Sequence, residues 1–384
     1  MIDQIIEFSG RNKFLIFILI GFLVVAGLWS MQHVPLDAIP DLSDTQVIVY
    51  SRWDRSPDIV EDQVTYPIVT AMLGAPHVKD VRGFSDFGFS YVYIVFDEGT
   101  DIYWARSRTM EYLSGVLPRL PQGVRTELGP DATGIGWVFQ YALVDTSGQH
   151  SLADLRSYQD WYLRYYLKAV PGVAEVAPLG GFVRQYQVQV DPNRLRAFNL
   201  PISTVLEAVR AGNNDVGGRL VEMTGAEYMV RGRGYAKSTA DIGDIVLTRN
   251  QNGVPVRVRD VGTVSLGPDL RRGVADLDGR GDTVAGIVVM RQGENALDVI
   301  DRVKAKLKEL EPTLPAGVKV VTAYDRSDLI LRSIENLKHT LLEELVIVSL
   351  IILIFLWHIP SAVIPIVTIP APSSSRSFRC RCSA

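Results

Sequence analysis

Apolar residues fall along this chain in two regimes. From Phe14 to Trp29 every position is apolar or glycine, and no Asp, Glu, Lys or Arg occurs between Lys13 and Asp37. A run of ~20 mostly apolar residues crosses a hydrocarbon core, so residues 14–35 are predicted to form a transmembrane helix behind a short N-terminus, 1–13. A cleaved signal peptide would need a shorter apolar region, roughly 7 to 15 residues, and a small-residue cleavage site, which His33-Val34-Pro35-Leu36 does not supply. Leu345 to Trp357, broken only by Ser349, predicts a second span at the end of a helix over 331–359. Ile359 to Ala371 is too short to cross and holds three prolines, each lacking a backbone donor, so 360–371 reads as a truncated third span. Residues 372–384 turn abruptly to Ser, Arg and Cys and read as a non-native tail, of the kind a shifted reading frame produces.

Between the apolar segments the pattern alternates strand and helix. Val47, Val49 and Trp53 belong to an extended run, and Ser56-Pro57 opens a helix with Val60, Val64, Ile68 and Met72 on one face. Tyr91 to Phe96 is strand-like, rich in β-branched and aromatic residues. Ser151 with Asp154 is a capping-box start, followed at helical spacing by Leu152, Leu155, Tyr158, Tyr162 and Tyr165. Asn295 with Asp298 starts another helix, with Val299, Val303, Leu307 and Leu310 inward and Pro312 and Pro315 ending it.

Two short strings recur in order. Pro76-His-Val78-Lys-Asp80-Val81 returns as Pro171-Gly-Val173-Ala-Glu175-Val176, and Leu120-Pro121-Gln-Gly123-Val124-Arg125 returns as Leu314-Pro315-Ala-Gly317-Val318-Lys319. Each copy reads strand-helix-strand twice, the split βαβ plan, and the second carries an insertion of roughly one hundred residues. The insertion has strand and turn signals of its own: Tyr186 to Val190 alternates, Pro201 to Val209 is helical, and Asn252-Gly253 lies between Ile245–Thr248 and Val254–Val258 as a hairpin candidate. The fold class is therefore an α+β membrane protein, two transmembrane helices and a truncated third flanking a body of two split βαβ subdomains. The boundaries are 36–134 for the first subdomain, 135–180 and 282–330 for the two pieces of the second, and 181–281 for the insertion.

Charge orients this body. Arg11 and Lys13 precede the first span, whereas Asp37, Asp41 and Asp44 follow it with no basic residue before Arg52, which places the N-terminus in the cytoplasm and the bulk of the chain outside. Over 384 residues the formal net charge is −4, giving no phosphate-binding surface and no case for a nucleic-acid partner. The only cysteines, Cys380 and Cys382, lie in the tail, so the body carries neither a disulfide framework nor a thiolate metal cage.

The strings PLDAIPDLSDTQVIV (35–49), VEDQVTYPIVTAM (60–72), VRGFSDFG (81–88), DIYWARSR (101–108), ELGPDATGIGW (127–137), DLRSYQDW (154–161), EYMVRGRGY (227–235), TAYDRS (322–327) and FLWH (355–358) resemble the heavy-metal branch of the resistance-nodulation-division efflux pumps, most closely the copper/silver type. The resemblance runs from residue 1 to about 370. It implies the amino-terminal part of a proton-driven antiporter in a Gram-negative inner membrane, homotrimeric, working with a periplasmic adaptor and an outer-membrane channel. It also implies that the repeats are porter subdomains and that the insertion is a docking domain whose hairpin engages a neighbouring protomer. The lipid bilayer is the remaining partner, and no cofactor is expected in this part; metal ions are the cargo and the proton-motive force the drive.

The chemistry expected of the whole family is not assignable to these residues. The family's proton relay uses ionisable residues in later spans, and between Leu345 and Ala371 the only titratable residue is His358, read as interfacial beside Trp357. Soft thioethers suit Cu(I) and Ag(I), but the family's methionine cluster lies in its second periplasmic half. Here Met72 and Met110 fall on helical faces and read as core; Met223 and Met229, six apart, are candidates to share a strand face, with packing favoured. Leu270 stands where copper/silver relatives carry methionine, which keeps divalent Zn, Co or Cd open as cargo. His33, His77, His150 and His339 are isolated, none four residues from another, and Asp37, Asp41 and Asp44 read as solvated or capping residues. No residue is assigned a catalytic, cofactor or metal role. Neither a phosphate loop nor a Gly-x-Ser-x-Gly elbow occurs, so no enzymatic activity is expected. The expected function is the amino-terminal part of a heavy-metal efflux transporter, inactive alone; the alternative is a membrane-anchored periplasmic binding or assembly module that transports nothing.

Overall fold

In β1 (Gln46–Arg52) the valines at 47 and 49 are fully buried and their neighbours are not, the period-two burial of a strand with one face on a core. The computed structural model describes residues 41–249, 253–271 and 273–356, with isolated positions between 11 and 39; the predicted first span lies mostly outside them, and the truncated third span and the tail lie wholly outside. The described chain divides into two compact units. One comprises residues up to Ser147 with Asp160–Pro178 and everything from Ala285, the other Gly148–Gln159 with Leu179–Val284.

The first unit holds two four-stranded sheets. After β1 come helix α1 (57–72), β2 (Val78–Asp86), β3 (Phe89–Phe96), α2 (Ile102–Val116) and β4 (Arg125–Leu128). Their sheet runs β2-β3-β1-β4, with β1 antiparallel to both β3 and β4. The second sheet takes β5 (Trp137–Asp145), helix α3 (152–168, of which 152–159 count with the second unit), β6 (Val173–Gly180), then β13 (Val284–Met290), α8 (Ala296–Leu310) and β14 (Val318–Asp325), in the order β14-β5-β13-β6; the last two residues of β6 and the first of β13 also count with the second unit. Read within each copy, both orders are second-third-first-fourth or its reverse, the same split βαβ arrangement. The repeated strings mark equivalent places: Val78 and Val173 open β2 and β6, and Val124 and Val318 stand at the entries to β4 and β14.

Both copies place a π-turn in their first helix, Glu61–Thr65 in α1 and Gln159–Leu163 in α3. In a regular helix, residues four apart overshoot a full turn by about 40°, so a strict four-residue spacing drifts off the core unless a wider turn absorbs it. Val60, Val64, Ile68 and Met72 keep that spacing and are all at most 1% exposed. In α3 the buried positions are Leu155, Gln159, Leu163 and Leu167, again four apart. This corrects the expected inward face of α3: Tyr165 is exposed, because the π-turn rotates the later residues away from a 3.6-residue register. Met110 on α2, expected in the core, is likewise exposed, whereas Met72 is buried.

The second unit is built from shorter pieces. β7 (Arg184–Val190) pairs antiparallel with β12 (Gly262–Pro268). Helices α4 (Pro192–Ala197) and α5 (Ile202–Gly212) and strands β10 (Val246–Arg249) and β11 (Pro255–Arg257) enclose a small core of Leu195, Val205, Val256 and Val261. Asn252 of the predicted turn between β10 and β11 lies outside the described residues. Strands β8 (Val216–Met223) and β9 (Ala226–Gly232) form a hairpin whose residues are all exposed. Two short helices come after the hairpin, α6 (Thr239–Gly243) and α7 (Val258–Val261), the second joining β11 to β12.

The last helix, α9, runs from Arg326 to Leu356, five residues earlier than the boundary expected at 331. Among the described residues no helix is long and apolar enough to cross a membrane. In α9 the uncharged stretch begins only at Leu345, and its described part rises roughly 18 Å, short of a ~30 Å core.

Candidate functional site

Segments far apart in sequence meet around one buried cation in the first unit. Strand β14 ends at Asp325 and α9 begins at Arg326, whose side chain is 1% exposed. Arg326 Nη1 donates to Asp37 Oδ2 at 3.0 Å, and Nη2 donates to the carbonyl oxygens of Ile135 at 2.7 Å and Trp137 at 2.9 Å. Its guanidinium lies over the Trp137 indole, 5.5 Å from the ring centroid, and that indole packs on Tyr324 with centroids 5.1 Å apart. The geometry uses what only arginine has, a planar fork of donors with a charge that is never lost at physiological pH. Burying such a charge costs several kcal/mol unless its donors are occupied, so the anion at Asp37 and the two carbonyls are what hold it there.

The residues flanking Arg326 fix its backbone. Asp325 accepts from the Ser327 main-chain N at 2.9 Å and from Ser327 Oγ at 2.6 Å, and pairs with Lys304 of α8, whose Nζ also donates to Ser327 Oγ at 2.9 Å. Burial alone would raise the Asp325 carboxyl, but the hydrogen bonds from Lys304 and Ser327 outweigh it and hold it below its ordinary value.

Beside Arg326 lies a cavity of about 360 Å³ lined in part by Asp41, Thr133, Gly136, Met290 and Glu294. Burial pushes Asp41 up, yet hydrogen bonds from Thr133 and Ser43 and the nearby Arg326 charge leave its carboxyl below its ordinary range. The loop joining the two sheets, residues 129–136, forms one wall. It is tied on one side by Arg106 Nη1 donating to the Gly129 carbonyl at 2.7 Å and by the Gly129 N donating to Ile48 at 2.7 Å. On the other, Met290 N donates to the Gly136 carbonyl at 2.7 Å and Gln292 N to that of Asp131 at 3.0 Å. Gly136 permits this approach, since a Cβ there would stand 3.0 Å from the Met290 oxygen. Asp131, 18% exposed, faces Arg291 at 3.4 Å and accepts from the Tyr103 hydroxyl at 3.2 Å. Burial and the adjacent Asp131 charge push the Tyr103 hydroxyl above its ordinary value.

This arrangement holds a permanent charge. Among the described residues no group of three or more His, Cys, Asp or Glu is placed to hold a metal ion. Asp37, expected to be solvated or capping, accepts from the Ile39 N at 3.4 Å through Oδ1 and is also the anion of the buried pair through Oδ2, at 24% exposure. Asp44 pairs with Lys79 at 3.4 Å. Met223 and Met229 do not share a face. In the β8–β9 register Met223 stands opposite Ala226 and Met229 opposite Leu220, positions of opposite parity, and both side chains are exposed rather than packed. The spacing of six misleads because a turn at Thr224-Gly225 separates them onto different strands. Leu270 is exposed. His77 lies 3.7 Å from Asp97 and His339 3.8 Å from Glu343, while His33 and His358 lie outside the described residues. Arg326 itself was not singled out by pattern. The one signal in the sequence is its place in the TAYDRS string (322–327), an arginine between a strand-ending Asp and a Ser.

Residues 5–373 match the family model described as the AcrB/AcrD/AcrF family. The chain is 52% identical over 371 residues to the cation efflux system protein CusA of Escherichia coli, an alignment covering 96% of this chain and 35% of that protein. It is 36% identical over 378 residues to the cobalt-zinc-cadmium resistance protein CzcA of Cupriavidus metallidurans, with the same coverage of 96% and 35%. The X-ray crystal structure of a heavy metal efflux pump, in its crystal form II, superimposes with a TM-score of 0.86 at 31% identity, over 97% of this chain and 37% of that one. The chain thus spans about a third of the length of the curated relatives it matches.

Proposed function

The chain belongs to the AcrB/AcrD/AcrF family, in its heavy-metal efflux branch, and on that premise we propose that it is the amino-terminal part of a proton-driven heavy-metal efflux transporter. The observation that carries this reading is that the likeness is continuous, running through both repeats, the insertion and the approach to the apolar ends rather than through one module. The proposed cargo is a heavy-metal cation, Cu(I) or Ag(I) in the first instance and Zn, Co or Cd in the second, because Leu270 replaces a methionine expected of the copper/silver type.

In this reading the chain is a part of a transporter and not an enzyme. Residues 14–35 and the apolar end of α9 anchor it in the inner membrane with the N-terminus in the cytoplasm and the two-sheet body in the periplasm. What supports the second anchor is the surface of α9, where Leu350, Ile354 and Phe355 are exposed. The two split βαβ subdomains act as porter subdomains and the insertion as a docking domain within a homotrimer that meets a periplasmic adaptor and an outer-membrane channel. Its proton relay and metal-binding methionines are supplied by the part of the family's length that this chain does not span, so the chain alone transports nothing.

A chimera tests this. Residues 1–370 replace the corresponding segment of the Escherichia coli CusA protein in a pump-deficient host, and tolerance to copper, silver, zinc, cobalt and cadmium is scored. The chimera restores tolerance to at least one metal and the chain alone to none. A chimera that is present in the membrane yet restores no tolerance, or tolerance from the chain alone, overturns the proposal.

A further inference from the structure

We propose that Arg326 is a positioning residue that couples the two membrane-directed segments of the chain to the second sheet. The inference rests on the reading of residues 14–35 and the apolar end of α9 as membrane anchors. Asp37 is the first charged residue after the one, and Arg326 is the first residue of the helix that leads to the other. Both therefore stand where the body meets its stems, and a single side chain bonds the two stems to one another and to the start of β5.

The physical case is that this joint cannot loosen by degrees. A surface ion pair exchanges its partner for water at little cost, but Arg326 is 1% exposed and its charge cannot be removed by deprotonation. Its three bonds go to three different places, Asp37 on the first stem, the carbonyl of Ile135 at the end of the 129–136 loop and that of Trp137 at the start of β5. Its Nε has no acceptor, so there is no spare bond to take up a lost one. The Asp325–Lys304–Ser327 cluster meanwhile pins the backbone at 325–327 to α8 of the same subdomain. A displacement of α9 or of residues 37–41 by more than a hydrogen bond tolerates would strand a buried charge, so it carries β5 with it. The first sheet has no direct bond to this guanidinium; it is reached through the 129–136 loop and along the chain that leads from Asp37 into β1.

Amide hydrogen exchange of the full chain in detergent micelles tests the coupling, with Asp37→Asn, Arg326→Lys and Arg326→Met compared with Ser151→Ala, which removes a helix cap elsewhere. Asp37→Asn removes one acceptor and leaves every side chain of the second sheet in place. It is expected to raise exchange about tenfold or more at Phe139 and Gln140 in β5 as well as near residue 37, the change expected of roughly one lost charge-assisted hydrogen bond, with β3 unchanged. Arg326→Lys, which keeps the charge and loses the fork, is expected to do the same, so the result does not depend on Arg326→Met folding. Exchange that rises only at residues 37–41 in Asp37→Asn, with β5 as protected as in the parent, overturns the coupling, as does a rise spread evenly over both sheets. The readout needs no transport: a failed chimera beside coupled exchange refutes the efflux reading alone, and a working chimera beside uncoupled exchange refutes the joint alone.

Discussion

Gly286 on β13 lies directly against the Tyr141 ring on β5, so that a methyl group at 286 would fall on the Cζ and hydroxyl of a tyrosine that is itself fully buried. The second sheet therefore depends on a missing side chain at this position.

Gly286→Ala is expected to destabilise the first unit by about 1–3 kcal/mol through overpacking. Tyr141→Phe does not relieve it, because the ring carbon is in the way as well as the hydroxyl, whereas a smaller aliphatic residue at 141 recovers part of the loss. Denaturant midpoints of the two single variants and the double variant check this; additive losses would show that the two positions do not meet.

The π-turn in α3 makes a second prediction. Leu163→Ala is expected to cost about 2–5 kcal/mol as a cavity in the core, while Tyr165→Ala changes stability by less than about 0.5 kcal/mol. A regular helix over 152–168 would place the two side chains equally far, about 80° to either side, from the Leu155 face and would give no such gap. Unfolding midpoints of the two variants distinguish them.

That ranking also shows what was legible in the sequence. Chemistry that acts within a few residues can be read directly: Ser151 and Asp154 do form a reciprocal capping box, Asn295 does cap α8 through Leu297 N at 3.0 Å, and the recurring Pro-x-Val strings do open equivalent strands. The spacing of Val60, Val64, Ile68 and Met72 marks a buried face, yet its strict interval of four also encodes the π-turn, which a 3.6-residue template overlooks. In α3, where aromatic residues compete at both spacings, the template selects Tyr165 and misses Leu163. The Arg326 joint is illegible for a different reason. Its acceptors are an aspartate 289 residues away in sequence and two main-chain carbonyls, and carbonyls leave no trace in side-chain pattern. The exposure of Met223 and Met229 follows from a hairpin that a spacing rule counts straight through.

Asp325 sets a pH dependence. Its folded carboxyl titrates below the ordinary value of 3.8, held there against burial by Lys304 and Ser327. A carboxyl with a depressed folded value stabilises the fold fully above its unfolded value and loses that contribution as pH falls through the folded one. Stability is expected to be flat in this contribution at neutral pH and to decline below about pH 4. Asp325→Asn is expected to lower stability at pH 7 and to make the acid decline shallower than in the parent chain. An acid limb of the same steepness in both proteins would mean that Asp325 titrates as it does in the unfolded chain.

Protease accessibility in intact spheroplasts tests most directly whether two apolar stems hold this body outside the cytoplasm. With trypsin added externally, the account predicts cleavage at the exposed Arg231 and Arg233 at the end of the β8–β9 hairpin while an epitope on the N-terminus survives until the cells are lysed. A chain whose arginines at 231 and 233 stay intact in spheroplasts and are cut only after lysis contradicts it.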